Sequence, residues 1–117
     1  MNLPEIKSEE DIRNALAGWN RFGIEVYVAT FKIPKGKIST YGRIAKRIGA
    51  PKSYRAVANA LHKNPLHPVV PCHRVVKSDG GFGGDPERAA ERRILVAKEG
   101  VPIEDGKVKM SEEILYE

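Results

Sequence analysis

The sequence predicts a mainly α-helical domain with a winged-helix-like helix-turn-helix and short extended segments around a candidate reactive site. Apolar residues recur at helical spacing in five separate stretches. Two of these stretches are short and are separated only by a Gly-containing turn at residues 49–52. A segment rich in proline, residues 64–75, then interrupts the helices and holds the single cysteine. At 117 residues the chain is the size of one domain.

The first two helices are predicted from caps and periodicity. Ser8 precedes three acidic residues and caps a helix that ends near Gly18, with apolar positions Ile12, Leu16 and Trp19. A second helix is predicted over 21–32, before Pro34 and Gly36 end it.

The next two helices form the predicted helix-turn-helix. Ser39 or Thr40 caps the first and Gly49 ends it, while Ser53 caps the second. In the second helix we expect four residues to face inward: Ala56, Val57, Ala60 and Leu61. Many DNA-binding proteins place such a second helix in a groove of the duplex.

A last helix and a hairpin complete the prediction. Pro86 opens a helix over residues 87–98, and Gly100 stops it. Its buried candidates are Ala90, Ile94, Leu95 and Ala97. Asp105-Gly106 predicts a hairpin turn.

The charges are segregated along the chain. Residues 26–78 carry eleven of the twenty Lys and Arg residues and none of the fifteen Asp and Glu residues. A strongly positive segment beside acidic ends favours a polyanionic partner such as nucleic acid over a merely solvated surface. The sequence shows no apolar run of membrane-spanning length, and one cysteine makes no internal disulfide, so a reducing intracellular compartment fits best.

The proline-rich segment delivers Cys72 and His73. Pro65, Pro68 and Pro71 favour a stiff, extended approach. An imidazole near a thiol can take its proton, which predicts a nucleophile. A lone cysteine is more often a small buried hydrophobic residue, and neighbours in an extended chain point to opposite faces. A bridging water or a local bend is therefore needed for the two side chains to cooperate.

The sequence resembles the O6-alkylguanine-DNA alkyltransferases over residues 19–103. Pro71-Cys72-His73-Arg74-Val75 resembles the active-site motif of that family. Further matches follow in the family's order: Ile33-Pro34-x-Gly36, Thr40-Tyr41-Gly42, Arg55-Ala56-Val57, Asn64-Pro65 and Glu99-Gly100. We expect a single domain over 1–117, with an N-terminal extension (1–18), this core and a C-terminal tail (104–117), in a compact form that lacks the family's separate N-terminal domain.

The resemblance implies a catalytic set. Cys72 accepts the alkyl group from O6 of a guanine flipped out of the duplex. His73 acts as general base through a water, Glu99 orients His73, and Asn64 braces the turn that presents the thiol. Arg74 is expected to be an ion-pair partner. No cofactor and no metal are implied.

The resemblance also implies how DNA and the substrate base are held. Arg55 enters the duplex from the second helix, on the minor-groove side, and Tyr41 presses on the phosphate beside the lesion. The DNA-binding set is Tyr41, Arg43, Ser53, Arg55, Ala56 and Lys63, and the substrate pocket set is Tyr41, Val75, Phe82 and Gly83. The implied partner is double-stranded DNA containing O6-alkylguanine, bound by a monomer in the cytoplasm or on the nucleoid, with no membrane partner.

One loop departs from the family pattern. Family members commonly have a Tyr-Ser pair here, whose serine hydroxyl meets O6. In this chain the loop reads Gly81-Phe82-Gly83-Gly84-Asp85. Phe82 can stack on a base, but no hydroxyl follows it, so side-chain assistance to the leaving group is in question.

Three other readings stay open. A non-enzymatic damage sensor, like the alkyltransferase-like proteins in which tryptophan or another residue replaces the cysteine, would share the compact architecture. A transcription regulator would use the helix-turn-helix to read a specific operator. A metal site of His62, His67, Cys72 and His73 matches no common zinc spacing.

Overall fold

The computed structural model describes residues 5–116, and in that range the chain is mainly helical. The helices are α1 (Glu9–Ala15), α2 (Arg21–Phe31), α3 (Tyr41–Arg47), α4 (Tyr54–His62) and α5 (Pro86–Lys98). Four two-residue strands accompany them: β1 (Ser39–Thr40), β2 (Val75–Val76), β3 (Ile103–Glu104) and β4 (Lys107–Val108). The predicted mainly α fold class is confirmed. No helix among residues 5–116 is long and apolar enough to cross a membrane.

Side-chain caps set most of the helix starts. The Ser8 hydroxyl accepts a hydrogen bond from the Asp11 amide, and the Thr40 hydroxyl accepts one from the Arg43 amide at 3.1 Å. Ser53 also occupies the N-cap position of α4, but its hydroxyl makes no capping hydrogen bond. Each side-chain cap satisfies an amide that the helix itself leaves unpaired.

A short parallel ladder joins the helix-turn-helix to the cysteine segment. Ser39 pairs with Val75 and Thr40 pairs with Val76. Strand β1 leads directly into α3, whereas β2 directly follows Cys72–Arg74. The ladder therefore fixes the position of α3 relative to the reactive cysteine.

Two hydrophobic clusters lie around this ladder. The larger one unites α1 to α4, and Cys72 and Val75 belong to it. The smaller one is formed by Ile38, Val76, Val96, Val101 and Val108. Because β2 supplies Val75 to the larger cluster and Val76 to the smaller one, the site lies where the two clusters meet.

The buried side of α5 differs from the prediction. Ile94 is 52% exposed and Ala97 is also exposed, so the prediction that they are buried is wrong. Arg92 and Val96 are the buried residues of this helix. The helix is rotated so that Arg92, Val96 and Glu99 share the inner face, since positions four and seven apart lie on one side of a helix. Apolar periodicity missed this because the buried face contains charged residues.

The hairpin and the tail close the second cluster. Asp105 and Gly106 both have positive φ, 53° and 77°, as a two-residue turn between antiparallel strands requires, and the predicted hairpin is confirmed. After β4 the chain returns to Ile38, whose amide donates to the Ile114 carbonyl at 2.8 Å and whose carbonyl accepts from the Tyr116 amide at 2.8 Å. The tail is therefore attached to the body of the domain.

Candidate active site and nucleic-acid interface

The segment that leads to Cys72 is a closed loop. Residues 65–69 form turns, so the predicted extended approach is wrong. The Asn64 side chain closes the loop: its Nδ2 donates to the Val70 carbonyl at 2.8 Å, and its Oδ1 accepts from the Leu66 amide at 2.9 Å. Prolines are suited to such turns because their φ angles are fixed and they need no amide partner.

Cys72 and His73 lie in one turn of 3-10 helix. The turn covers Cys72–Arg74, and the Arg74 amide donates to the Pro71 carbonyl at 2.9 Å. Successive residues of a 3-10 helix point about 120° apart, so the predicted opposite orientation of the two side chains does not apply. The thiol residue is 6% exposed and the imidazole residue is 3% exposed. The bend that cooperation required is therefore part of the fold.

His73, Glu99 and Arg74 form one hydrogen-bonded network. His73 Nε2 lies 3.1 Å from Glu99 Oε2. Arg74 donates to both carboxylate oxygens of Glu99, from Nε at 2.8 Å and from Nη2 at 2.7 Å, and its Nη1 donates to the Ile33 carbonyl at 2.8 Å. Arg74 is thus the ion-pair partner that the sequence predicts.

This network sets the charge states of the site. The hydrogen bonds from Arg74 hold the pKa of Glu99 near 2, well below its usual range. Burial lowers the pKa of His73, although the hydrogen bond and charge of Glu99 act in the opposite direction. At neutral pH Glu99 is therefore ionised and His73 is neutral. An ionised Glu99 can only accept, so His73 carries its proton on Nε2, and Nδ1, which lies 3.4 Å from His67 Nε2, is its acceptor nitrogen.

A cavity of about 420 Å³ opens beside the thiol. Cys72 and Asn64 line it from the cysteine loop, and Arg92 and Leu95 line it from α5. It is large enough for one flat heterocycle, since sites for small ligands start near 300 Å³. Cys72 is therefore mostly covered by packing but belongs to the wall of an open cavity.

None of the four predicted pocket residues is part of the lining of this cavity. Gly83 is packed so tightly against Tyr41 that an added Cβ would collide with the Tyr41 hydroxyl. Val75 is buried in β2, and Phe82 packs against the smaller hydrophobic cluster. Neither Val75 nor Phe82 is part of the lining of the 420 Å³ cavity. Tyr41 is 7% exposed, and its hydroxyl lies 3.4 Å from His62 Nε2.

The helix-turn-helix presents the predicted cationic residues to solvent. Arg43, Arg55 and Lys63 are exposed, and the Arg55 guanidinium lies 5.9 Å from the centre of the Tyr54 ring. Ala56 is exposed, so the prediction that it faces inward is wrong, whereas Val57 and Leu61 are buried. Because the alanine side chain is small, α4 can approach a nucleic-acid backbone or groove closely at this position. Ser53 is half-buried at the start of the same helix.

Two residues outside the predicted catalytic and pocket sets also lie at the site. His67 Nε2 is 3.4 Å from His73 Nδ1, and Arg92 is buried in the cavity wall. Arg92 precedes Glu99 by seven residues, so the two lie on the same side of α5. That spacing is the signal that could have found Arg92 from the sequence. Among residues 5–116 no group of three or more His, Cys, Asp or Glu side chains is placed to hold a metal ion.

The comparisons identify relatives of this fold and motif. A family profile described as the DNA-binding domain of 6-O-methylguanine DNA methyltransferase matches residues 21–101. The chain is similar to methylated-DNA–protein-cysteine methyltransferases of Methanosarcina mazei (46% identity, covering 63% of this chain and 46% of the relative) and Methanosarcina acetivorans (41% identity, 82% and 60%). It thus spans about half the length of the curated relatives it matches.

Solved structures that resemble this chain come from the same group of proteins. The chain is similar to an O6-methylguanine methyltransferase of Mycobacterium tuberculosis, with 37% identity and a TM-score of 0.66 over 73% of this chain and 53% of that one. It is also similar to S. pombe Atl1 in complex with damaged DNA containing O6-carboxymethylguanine, with 34% identity and a TM-score of 0.71 over 82% and 94%. The profile match over more than half of the sequence shows that this chain belongs to the 6-O-methylguanine DNA methyltransferase family, through its DNA-binding domain.

Proposed function

We propose that this protein repairs DNA by direct reversal, moving an alkyl group from O6 of a guanine in double-stranded DNA to its own Cys72. The observation that carries the proposal is the position of Cys72, in the wall of a base-sized cavity and next to the His73–Glu99–Arg74 network. The relatives named methylated-DNA–protein-cysteine methyltransferase support the same reaction. Each molecule acts once, because the thioether that forms is not hydrolysed under mild conditions.

The network supplies the proton acceptor for this reaction. A free thiol has a pKa near ~8.5 and is largely protonated at neutral pH, so a base is needed. His73 Nδ1 takes the thiol proton through a water, and the Glu99 carboxylate, which Arg74 holds in place by two hydrogen bonds, stabilises the resulting imidazolium. The Cys72 sulfur then attacks the alkyl carbon: the S–C bond forms, the C–O6 bond breaks, and its electron pair remains on guanine. Guanine finally takes a proton from solvent.

The acid-free segment supplies the DNA-binding surface. Exposed Arg43, Arg55 and Lys63 contact phosphates or the duplex, and exposed Ala56 lets α4 approach the minor groove. Arg55, at the start of α4, fills the stack that the extruded base leaves, while Ser53 and Tyr41 contact the adjacent backbone. Extruding a base costs a few kcal/mol, less at a damaged pair, and cationic contacts offset that cost. The protein acts as a monomer on DNA, in the cytoplasm or on the nucleoid.

One experiment tests the transfer. The protein is incubated with a duplex containing a single O6-methylguanine and is then weighed by mass spectrometry. We expect one methyl-sized gain per protein molecule, and no gain in Cys72→Ser. A duplex that binds but leaves the mass of the wild-type protein unchanged would contradict the proposal.

A second candidate function is a damage sensor without transfer. The observation in its favour is the similarity of the fold to that of Atl1 in complex with damaged DNA containing O6-carboxymethylguanine, with a TM-score of 0.71. A sensor predicts tight binding to the modified duplex with no mass gain. A transcription regulator instead predicts strong preference for one sequence and no effect of Cys72→Ser.

A further inference from the structure

Arg92 is a buried cation with an unused hydrogen-bond donor. It lies on the inner face of α5 and is 7% exposed. Within residues 5–116 its Nη1 atom has no hydrogen-bond partner. Arginine is almost never fully buried without a partner, and leaving such a donor unpaired costs free energy. An unpaired buried donor therefore indicates a ligand that the site is built to receive.

The position of Arg92 shows where such a ligand lies. Arg92 and Cys72 line the same cavity. Burial is the main cause that lowers the pKa values of His62, His67 and His73, and the positive charge of Arg92 acts on all three in the same direction. Its charge and hydrogen bond also act on Tyr41, against the burial that raises the pKa of that phenol. The guanidinium is thus fixed between Tyr41 and the cavity that contains the thiol.

We propose that Arg92 is a catalytic residue that donates a hydrogen bond from Nη1 to O6 of the extruded alkylguanine and stabilises the guanine anion that leaves. This inference rests on the proposed alkyl transfer. The loop opposite, residues 81–85, has no hydroxyl that could make this bond. A donor from α5 therefore takes the place of a donor from the loop.

The charge balance of the step explains why a guanidinium suits it. As the S–C bond forms and the C–O6 bond breaks, one electron pair moves onto the purine, and O6 gains negative charge. Arg92 is already charged and does not give up a proton, so it acts only by its charge and its hydrogen bond. The proton that finally neutralises guanine comes from solvent. A fixed donor aimed at an oxygen that becomes negative is among the strongest catalytic devices in a buried site.

The test separates leaving-group assistance from effects on the thiol and on binding. Arg92→Met removes the charge and the donors with little loss of volume, and Arg93→Met on the exposed side of α5 is the matched control. Three quantities are measured: the single-turnover rate of methyl transfer from an O6-methylguanine duplex, the Kd for that duplex, and the rate at which iodoacetamide alkylates Cys72. Iodoacetamide needs a reactive thiolate but no guanine leaving group.

We expect Arg92→Met to slow methyl transfer by about 100-fold, the size of effect seen when a single oxyanion donor is removed. The Kd and the iodoacetamide rate should change much less than the transfer rate, and Arg93→Met should match the wild type. Arg92→Lys should recover part of the rate, since a cation remains. If Arg92→Met does not fold, as judged by thermal unfolding, Arg92→Gln replaces it.

Three outcomes of these measurements would overturn the inference or the function on which it rests. An iodoacetamide rate that falls as far as the transfer rate would overturn the inference, because Arg92 would then act on the thiol. An unchanged transfer rate in a folded Arg92→Met or Arg92→Gln would overturn it as well, while leaving the proposed transfer intact. Absence of transfer in the wild-type protein would instead overturn the proposed function, and the role of Arg92 with it.

Discussion

At the scale of single residues, Glu99 joins Arg74 and His73 in one hydrogen-bonded network. It accepts two hydrogen bonds from Arg74 and one from His73, and its side chain is 14% exposed. Charge-assisted and bidentate hydrogen bonds of this kind are the strong ones. The same bonds fix the His73 ring and its tautomer. Losing Glu99 should therefore affect the fold as well as the reaction.

We predict that Glu99→Gln removes a pH-dependent part of the stability. The folded-state pKa of Glu99 is about 2, against an ordinary value of 4.5. A depressed carboxyl pKa stabilises the folded protein above the ordinary value, and this stabilisation is lost as the pH falls from 4.5 towards 2. At about 1.4 kcal/mol per pKa unit, it amounts to about 3 kcal/mol at neutral pH.

Urea unfolding of wild type and Glu99→Gln between pH 2.5 and pH 7 measures this difference, with exposed Glu113→Gln as the control. The gap in unfolding free energy should narrow as the pH falls. A difference in unfolding free energy that stays constant between pH 2.5 and pH 7 would contradict the lowered pKa of Glu99.

At the scale of elements, α4 carries two cations with different expected roles. Arg55 lies in its first turn, and Lys63 lies at its C-terminal end. Both are exposed, so their charges are equally available to DNA phosphates. Only Arg55 combines the start of the helix with a long planar side chain that can stack in place of a base. The positions of Arg55 and Lys63 along α4, rather than their charges, should therefore distinguish their effects on DNA binding.

We predict that Arg55→Ala and Lys63→Ala weaken DNA binding in different ways. Lys63→Ala should weaken binding to modified and unmodified duplexes equally and reduce the salt dependence by about one phosphate contact. Arg55→Ala should in addition slow base extrusion, followed by the fluorescence of a 2-aminopurine beside the lesion. Equal losses from both variants in both assays would argue against the insertion of Arg55.

At the scale of the whole molecule, the C-terminal tail holds the second hydrophobic cluster together. Leu115 pairs with Ile38 in an isolated parallel bridge and packs, with Ile114, against the second hydrophobic cluster. The Arg47 guanidinium lies 5.3 Å from the centre of the Tyr116 ring, which links the tail to α3. Since Ile38 directly precedes β1, the tail supports the ladder on which the site is built.

We predict that Leu115→Ala destabilises the protein by about 1–2 kcal/mol, below the range for a fully buried leucine because Leu115 is only half-buried. Thermal unfolding measures the change, and Glu112→Ala, on the exposed part of the tail, is the control. The transfer rate of the remaining folded protein should stay close to that of the wild type. A stability unchanged by Leu115→Ala would show that the tail contributes nothing to the second cluster.

The local features of this protein are readable from its sequence. Ser8 caps helix α1 and Thr40 caps helix α3, because their hydroxyls accept hydrogen bonds from amides three residues further on. The Asp105-Gly106 sequence suits a two-residue turn, because both residues tolerate positive φ. The sequence also indicated Cys72 and His73 through their motif, and the nucleic-acid-binding segment through its lack of acids. All of these signals come either from a few neighbouring residues or from the amino-acid composition of one segment.

Only the tertiary structure decided how the site is assembled. It turned Arg92 inward on α5 while leaving Ile94 in solvent, and it brought His67 next to His73. Each of these depends on contacts between elements, and apolar periodicity cannot report a buried face that contains an arginine. Hydrogen bonds between near neighbours and the distribution of charge are therefore determined by the sequence alone, whereas the packing of α5 against the cysteine loop determines which side chains line the cavity.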